Sequence, residues 1–110
     1  MAAPALVEAM NDDAFGVRWL AAEGLITLRR QGLGPLLQAL IEHPDAMWLR
    51  ESAHHVIKVL ADDEKYFILL APILNILECP ASAEAVSQAA CNVLKQLCQD
   101  EHAGSESQPI

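Results

Sequence analysis

One stretch of this sequence, residues 13–30 (DAFGVRWLAAEGLITLRR), comes back twice, and that recurrence restricts the fold more than any other feature. Asp13 aligns with Asp45 and then with Ser82, with no gap inside the unit. Val17, Leu49 and Val86 share a column, as do Ala21, Ala53 and Ala90. Leu25, Ile57 and Leu94 form the next column, and Leu28, Leu60 and Leu97 the last. A unit that returns every ~32 to 37 residues builds one supersecondary element several times over, and each copy buries its apolar face by stacking on its neighbour.

The spacing inside the unit is helical. Apolar or small residues at 17, 21, 24, 25 and 28 fall on one side of a helix, and strict alternation is absent. Asp13, Asp45 and Ser82 stand just before the pattern, where a short side-chain oxygen can accept from unpaired backbone N–H groups as an N-cap. The small residue at 21, 53 and 90 predicts close approach by a neighbouring helix, because a larger side chain would hold the backbones apart.

Shorter apolar segments, 5–10, 36–41 and 73–77, separate the long helices and are opened by Pro4, Pro35 and Pro72, residues suited to a first helical turn. Each repeat thus reads as a short helix A, a tight turn and a long helix B. The turns are Asn11-Asp12-Asp13, His43-Pro44-Asp45 and Cys79-Pro80-Ala81-Ser82. Gly32 is placed to stop the first B helix, and Gly34-Pro35 to start the second A helix. The second B helix closes near residues 62–64. Residues 65–71 are surplus to the repeat, so the third A helix is expected to start early and kink at Pro72. The expected domain is 1–102, with repeats at about 3–31, 32–62 and 63–101, followed by a small, polar, disordered tail at 103–110.

Composition agrees with an all-α class: 53% of residues are hydrophobic, only 5% are aromatic, and Gly numbers 5, which favours Leu- and Ala-rich helices over hairpins. The net charge of −8 repels phosphate backbones and anionic lipid, and the bases are dispersed, so neither nucleic acid nor a membrane is the expected partner. Residues 1–10 have no base ahead of an apolar run, and the nearly apolar run at 66–77 is too short to span a bilayer, which points to a cytoplasmic protein. Cys79, Cys91 and Cys98 show no CxxC spacing; a disulfide framework or zinc module is not supported, and reduced thiols are expected.

Asp13…Val17-Arg18…Ala21-Ala22…Leu25…Leu28 and Asp45…Leu49-Arg50…Ala53…Ile57…Leu60 resemble HEAT repeats, and more narrowly the short bacterial HEAT-like repeats found in phycobilin lyases. The likeness covers roughly residues 4–100 and departs in the third unit, where Ser87 stands in the column of Arg18 and Arg50. It implies an α-α superhelix, a solenoid of three helix pairs, whose B helices line the concave side where partners bind. It also implies an alternative role, as an accessory subunit of a bilin lyase or isomerase. Ankyrin and tetratricopeptide signatures of similar period are missing.

With the stripe at 17, 21, 24, 25 and 28 turned inward, the outward face of the B helices holds Trp19, Glu23, Ile26 and Arg30, then Glu51, His55, Lys58 and Asp62, then Gln88, Asn92, Lys95 and Gln99. Trp19, Glu23, Ile26, Arg30, Glu51, His55, Lys58 and Asn92 are the candidate contacts for a protein partner, since an outward Trp and Ile suit an interface hot spot. The alternative for Trp19 is packing over a neighbouring side chain. Arg18 and Arg50 are expected to form an inter-repeat ladder with Asp12, Asp13 or Asp45. His54 shares a column with Cys91, but two ligands do not close a zinc site, and His54 and His55 point ~100° apart, so no metal is expected. Cys91 and Cys98 lie on one side of the last helix as small buried hydrophobes, or exposed if the final repeat is uncapped. No His-Glu dipeptide, GxSxG or P-loop is present, so the expected protein is a non-catalytic binding or assembly module without a cofactor. A third reading pairs the open ends of the solenoid as a homodimer.

Overall fold

The computed structural model describes the backbone of residues 3–79 and 81–106, and the side chains of 5–79 and 81–99. Among the described residues the protein is all-α: α1 (Ala3–Ala9), α2 (Phe15–Leu28), α3 (Arg30–Glu42), α4 (Met47–Ala61), α5 (Glu64–Glu78) and α6 (Ala83–Glu106). None of these helices is long and apolar enough to cross a membrane. α1, α3 and α5 are the three expected A helices, and α2, α4 and α6 the B helices.

Where the helices begin and end departs from expectation for local reasons. Ser82 caps as expected, its Oγ accepting from the Ala85 N–H at 3.1 Å. Asp13 and Asp45 do not cap: Ala14 and Ala46 occupy those positions without a side-chain bond, while the Asp12 carboxylate accepts from the Ala14 N–H instead. Asp63, not singled out by the repeat, caps α5 by accepting from the Lys65 N–H. Pro35 and Pro72 do not open their helices but lie inside α3 and α5. Each leaves the carbonyl four residues earlier without its usual helical donor. Those carbonyls belong to Gln31 and Ile68, both at exposed positions.

Gly32 does not stop α2 either. The break falls at Arg29, whose φ of 54° is a left-handed value that favours glycine, and whose N–H donates to the Leu25 and Ile26 carbonyls. α3 begins at the next residue, and Gly32 is buried within it. A β-carbon on Gly32 would come within 3.0 Å of Leu25 Cδ2 and 3.1 Å of the Leu25 carbonyl oxygen. Gly32 therefore permits the sharp reversal by letting α3 start directly against the end of α2.

The small column is buried throughout, with Ala21, Ala53 and Ala90 at 2% exposure or less. The core is mostly aliphatic, and α3 supplies its centre through Leu33, Leu36, Leu37 and Leu40, all fully buried. α1 and α2 pack on each other, α2 lies along α4, and α1 lies along α3. The third pair docks differently, with α6 having α3 and α5 as its principal neighbours and α5 lying along α4. α3 and α6 run antiparallel, because Arg30 Nη2 donates to the Leu97 carbonyl while Ser87 Oγ donates to the Ile41 carbonyl. α3, α4, α5 and α6 thus close into a ring.

The surplus residues 65–71 account for this closure. They are helical and make α5 as long as α4, and with only Asp62 and Asp63 in the turn the two form a tight antiparallel hairpin. Helix α6 then returns against α3. It continues through Ala103, where the tail was expected to begin, and on to Glu106; the rest of that expected tail, 107–110, and Pro80 of the third turn lie outside the described residues.

Candidate partner-binding surface on α2 and α4

α2 and α4 run side by side in the same direction, as the pairing of Arg18 with Trp48 and of Glu23 with His55 requires. α4 is amphipathic: Leu49, Ser52, Ala53, Val56, Ile57 and Leu60 are buried, and Glu51 and Lys58 face out together with Met47, Trp48 and Val59. α2 carries apolar residues around nearly its whole circumference yet buries only Ala21, Ala22 and Leu25. A helix apolar on all sides is expected to be covered on all sides. On α2, Phe15, Val17, Trp19 and Leu20 remain exposed, Leu20 at 71%.

Val17, expected in the inward stripe, is 42% exposed, whereas its counterpart Leu49 is at 2%. Periodicity marks which residues share a face; burial needs a neighbour on that face. α1 is short and leaves this part of α2 uncovered.

The exposed aromatic side chains contact one another. Phe15 stacks on Trp19 at 6.5 Å between ring centroids, and Trp19 stacks on His55 at 5.0 Å. The Arg18 guanidinium lies 5.7 Å from the Phe15 centroid and 5.1 Å from that of Trp48, within range of a cation–π attraction. Arg18 Nη1 also donates to the Asp12 carbonyl at 2.8 Å, which fixes the head group. Between the helices lies a depression of about 210 Å³ walled by Phe15, Trp19, Glu51 and His55, with Ala22 and Ser52 also lining it. Exposed Met47, at 74%, stands beside Trp48 at the start of α4.

The expected contact residues divide into three sets. Trp19, Glu23, Glu51 and His55 come together here, with His55 Nε2 3.2 Å from a Glu23 carboxylate oxygen. Ile26 does not face out: it is partly buried and packs against the core. Arg30 is not on helix B, because the break at Arg29 transfers it to α3, from which it bonds the Leu97 carbonyl of α6. Lys58 and Asn92 are exposed but line other depressions, of about 580 and 540 Å³, that share Ile68.

Phe15, Leu20, Met47 and Trp48 were missed. Phe15 and Met47 align across the repeat and fall at the first position of their helices; with Trp19 four residues after Phe15, that was the available signal.

The arginine column is structural in a different way from the expected ladder. Arg18 and Arg50 bond backbone carbonyls, Asp12 and Ala81 respectively, each in the turn before a B helix. Arg50 does cross to the next repeat. Its partner there is a carbonyl, and the turn it reaches carries Ser82 where the earlier turns carry Asp13 and Asp45. His54 meets Glu78 on α5 at 3.2 Å rather than Cys91. Cys91 is half-buried and Cys98 exposed, so Cys98 is not a core residue. Among the described residues no three His, Cys, Asp or Glu side chains converge in a way that could hold a metal ion.

No family model, characterised protein or solved structure matches this chain.

Proposed function

We propose that the protein is a non-catalytic recognition module that binds another protein through the aromatic surface of α2 and α4. What supports this reading is the set of exposed large apolar side chains, Phe15, Trp19, Met47 and Trp48, at the same end of two adjacent parallel helices, with Leu20 exposed further round α2. Isolated exposed apolar residues are ordinary, but a clustered aromatic and Met surface is characteristic of an interface centre. Arg18, within reach of two rings, contributes the residue type that most often joins aromatics at such centres.

The repeat is best read as HEAT-like, with two stacked pairs and a third folded back on them, working in the cytoplasm. The aligned arginines that bond the turn carbonyls support that reading. The bilin-lyase accessory role rests on resemblance alone, and mixing the protein with a bilin tests it: a plain binding module leaves the pigment's absorption band unshifted. The recognition surface is tested by Phe15→Ser combined with Met47→Ser. Both side chains are exposed, so unfolding by urea should change by less than ~0.5 kcal/mol. Partner capture from the source cell should be lost, and undiminished capture would count against the surface.

A further inference from the structure

The surface on α2 and α4 has an electrostatic rim that narrows the choice of partner. Asp12 and Asp13 precede α2, Asp45 precedes α4, and Glu51 lies one turn into α4 beside the depression; all four are exposed. Because the two helices run in parallel, their acidic starts lie at the same end as Phe15, Met47 and Trp48. The basic residues Arg29 and Lys58 belong to the opposite ends of α2 and α4. Arg18, the base within the surface, has its head drawn to the Asp12 carbonyl and the Trp48 ring. The centre is therefore apolar and aromatic, and its border is negative. A second copy of this chain would set one acidic rim against another, whereas a partner with apolar residues along one stripe and Lys or Arg beside it matches both parts.

From this we infer that the α2–α4 surface receives a basic amphipathic helix. The proposal rests on the recognition reading of the same surface and adds the partner's chemistry. The apolar stripe lies on Phe15, Trp19, Met47 and Trp48. Flanking Lys and Arg lay their aliphatic stems over the rings and reach Asp13, Asp45 and Glu51 with their charges. The depression beside Trp19 takes one large anchoring side chain. Four large apolar side chains, each between 40% and 74% exposed, supply the apolar centre that such an interface needs.

The protein's two tryptophans, Trp19 and Trp48, both lie in this surface, so their emission reports docking directly. The full chain would be titrated with three synthetic peptides of equal length. The first is a Leu/Lys helix with one apolar stripe, the second has the same composition in scrambled order, and the third is a Leu/Glu helix with the same stripe. The Leu/Lys helix should give a saturable blue shift that weakens as salt rises, and the other two peptides should give none. Asp13→Asn with Asp45→Asn and Glu51→Gln should weaken it at least tenfold, as should Phe15→Ala with Met47→Ala; Glu84→Gln on α6 should leave it unchanged.

An equal response to the scrambled peptide would mean charge alone attracts cations and would overturn the proposal. A response to the Leu/Glu helix would overturn the partner's basic character while leaving the recognition surface standing. Silence to all three peptides would sink both. So would light scattering that gives twice the chain mass while the tryptophans are already shielded, since that marks a second copy as the occupant.

Discussion

Helices α2 and α4 hold equivalent places in two copies of one repeated unit and carry the same spacing, yet α4 buries a full stripe and α2 is half bare. α4 lies between α2 and α5, and seven of its residues are buried. α2 has α1 on one flank, α4 on the other and α3 against its end, while the side carrying Phe15, Val17, Trp19 and Leu20 stays exposed. Equivalent positions therefore carry unequal energies. Whether a side chain is core depends on what stands opposite it, and a column in an alignment does not contain that information.

The sharpest way to break the comparison is to shorten the same column twice. Leu49→Ala should lower stability by about 3 kcal/mol, because it removes buried methyl groups and leaves a cavity, while Val17→Ala should cost less than ~0.5 kcal/mol. Urea unfolding measures both, and similar losses at the two positions would refute the contrast. Next comes the close approach of α3 to the end of α2. Gly32→Ala pushes a methyl group against Leu25, including its backbone carbonyl, and should destabilise by about 2 kcal/mol. Gly16→Ala meets open space near the start of α2 and should be neutral or stabilise by up to ~0.5 kcal/mol in the same assay. The smaller steric effect belongs to the break itself. Arg29→Gly relieves a left-handed φ and should raise stability by about 1 kcal/mol, read as a higher urea midpoint with unchanged slope. A drop would mean the Arg29 side chain contributes more than its backbone costs.

Much of the secondary structure was legible. The triplet Ala21, Ala53 and Ala90 marked three buried contacts correctly, and the aligned unit located α2, α4 and α6 to within a few residues. The end of α2 was not legible, since Arg29 carries no turn signal and Gly32, three residues on, looks like the stop. The partner of α6 was not legible either: an amphipathic stripe states that a helix has a buried face, and α3 or α4 could equally have filled it. Residues 65–71 held the missing information, because their length decided that α5 would run along α4 and bring α6 back to α3. In the candidate surface, Trp19, Glu23, Glu51 and His55 followed from facing alone. Arg30 failed because the backbone break at Arg29 hands it to α3, and Ile26 because it packs against the core rather than facing out.

The closed ring of α3 to α6 gives this molecule a direction of growth. Helix α6 turns Glu84, Gln88, Asn92 and Lys95 to solvent, a hydrophilic finish of the kind that terminates arrays of repeats. Tandem duplication in the laboratory should therefore find no footing on that face of α6, and extra hairpins would need an oily seat of the kind that Leu20 and Val17 still offer on α2.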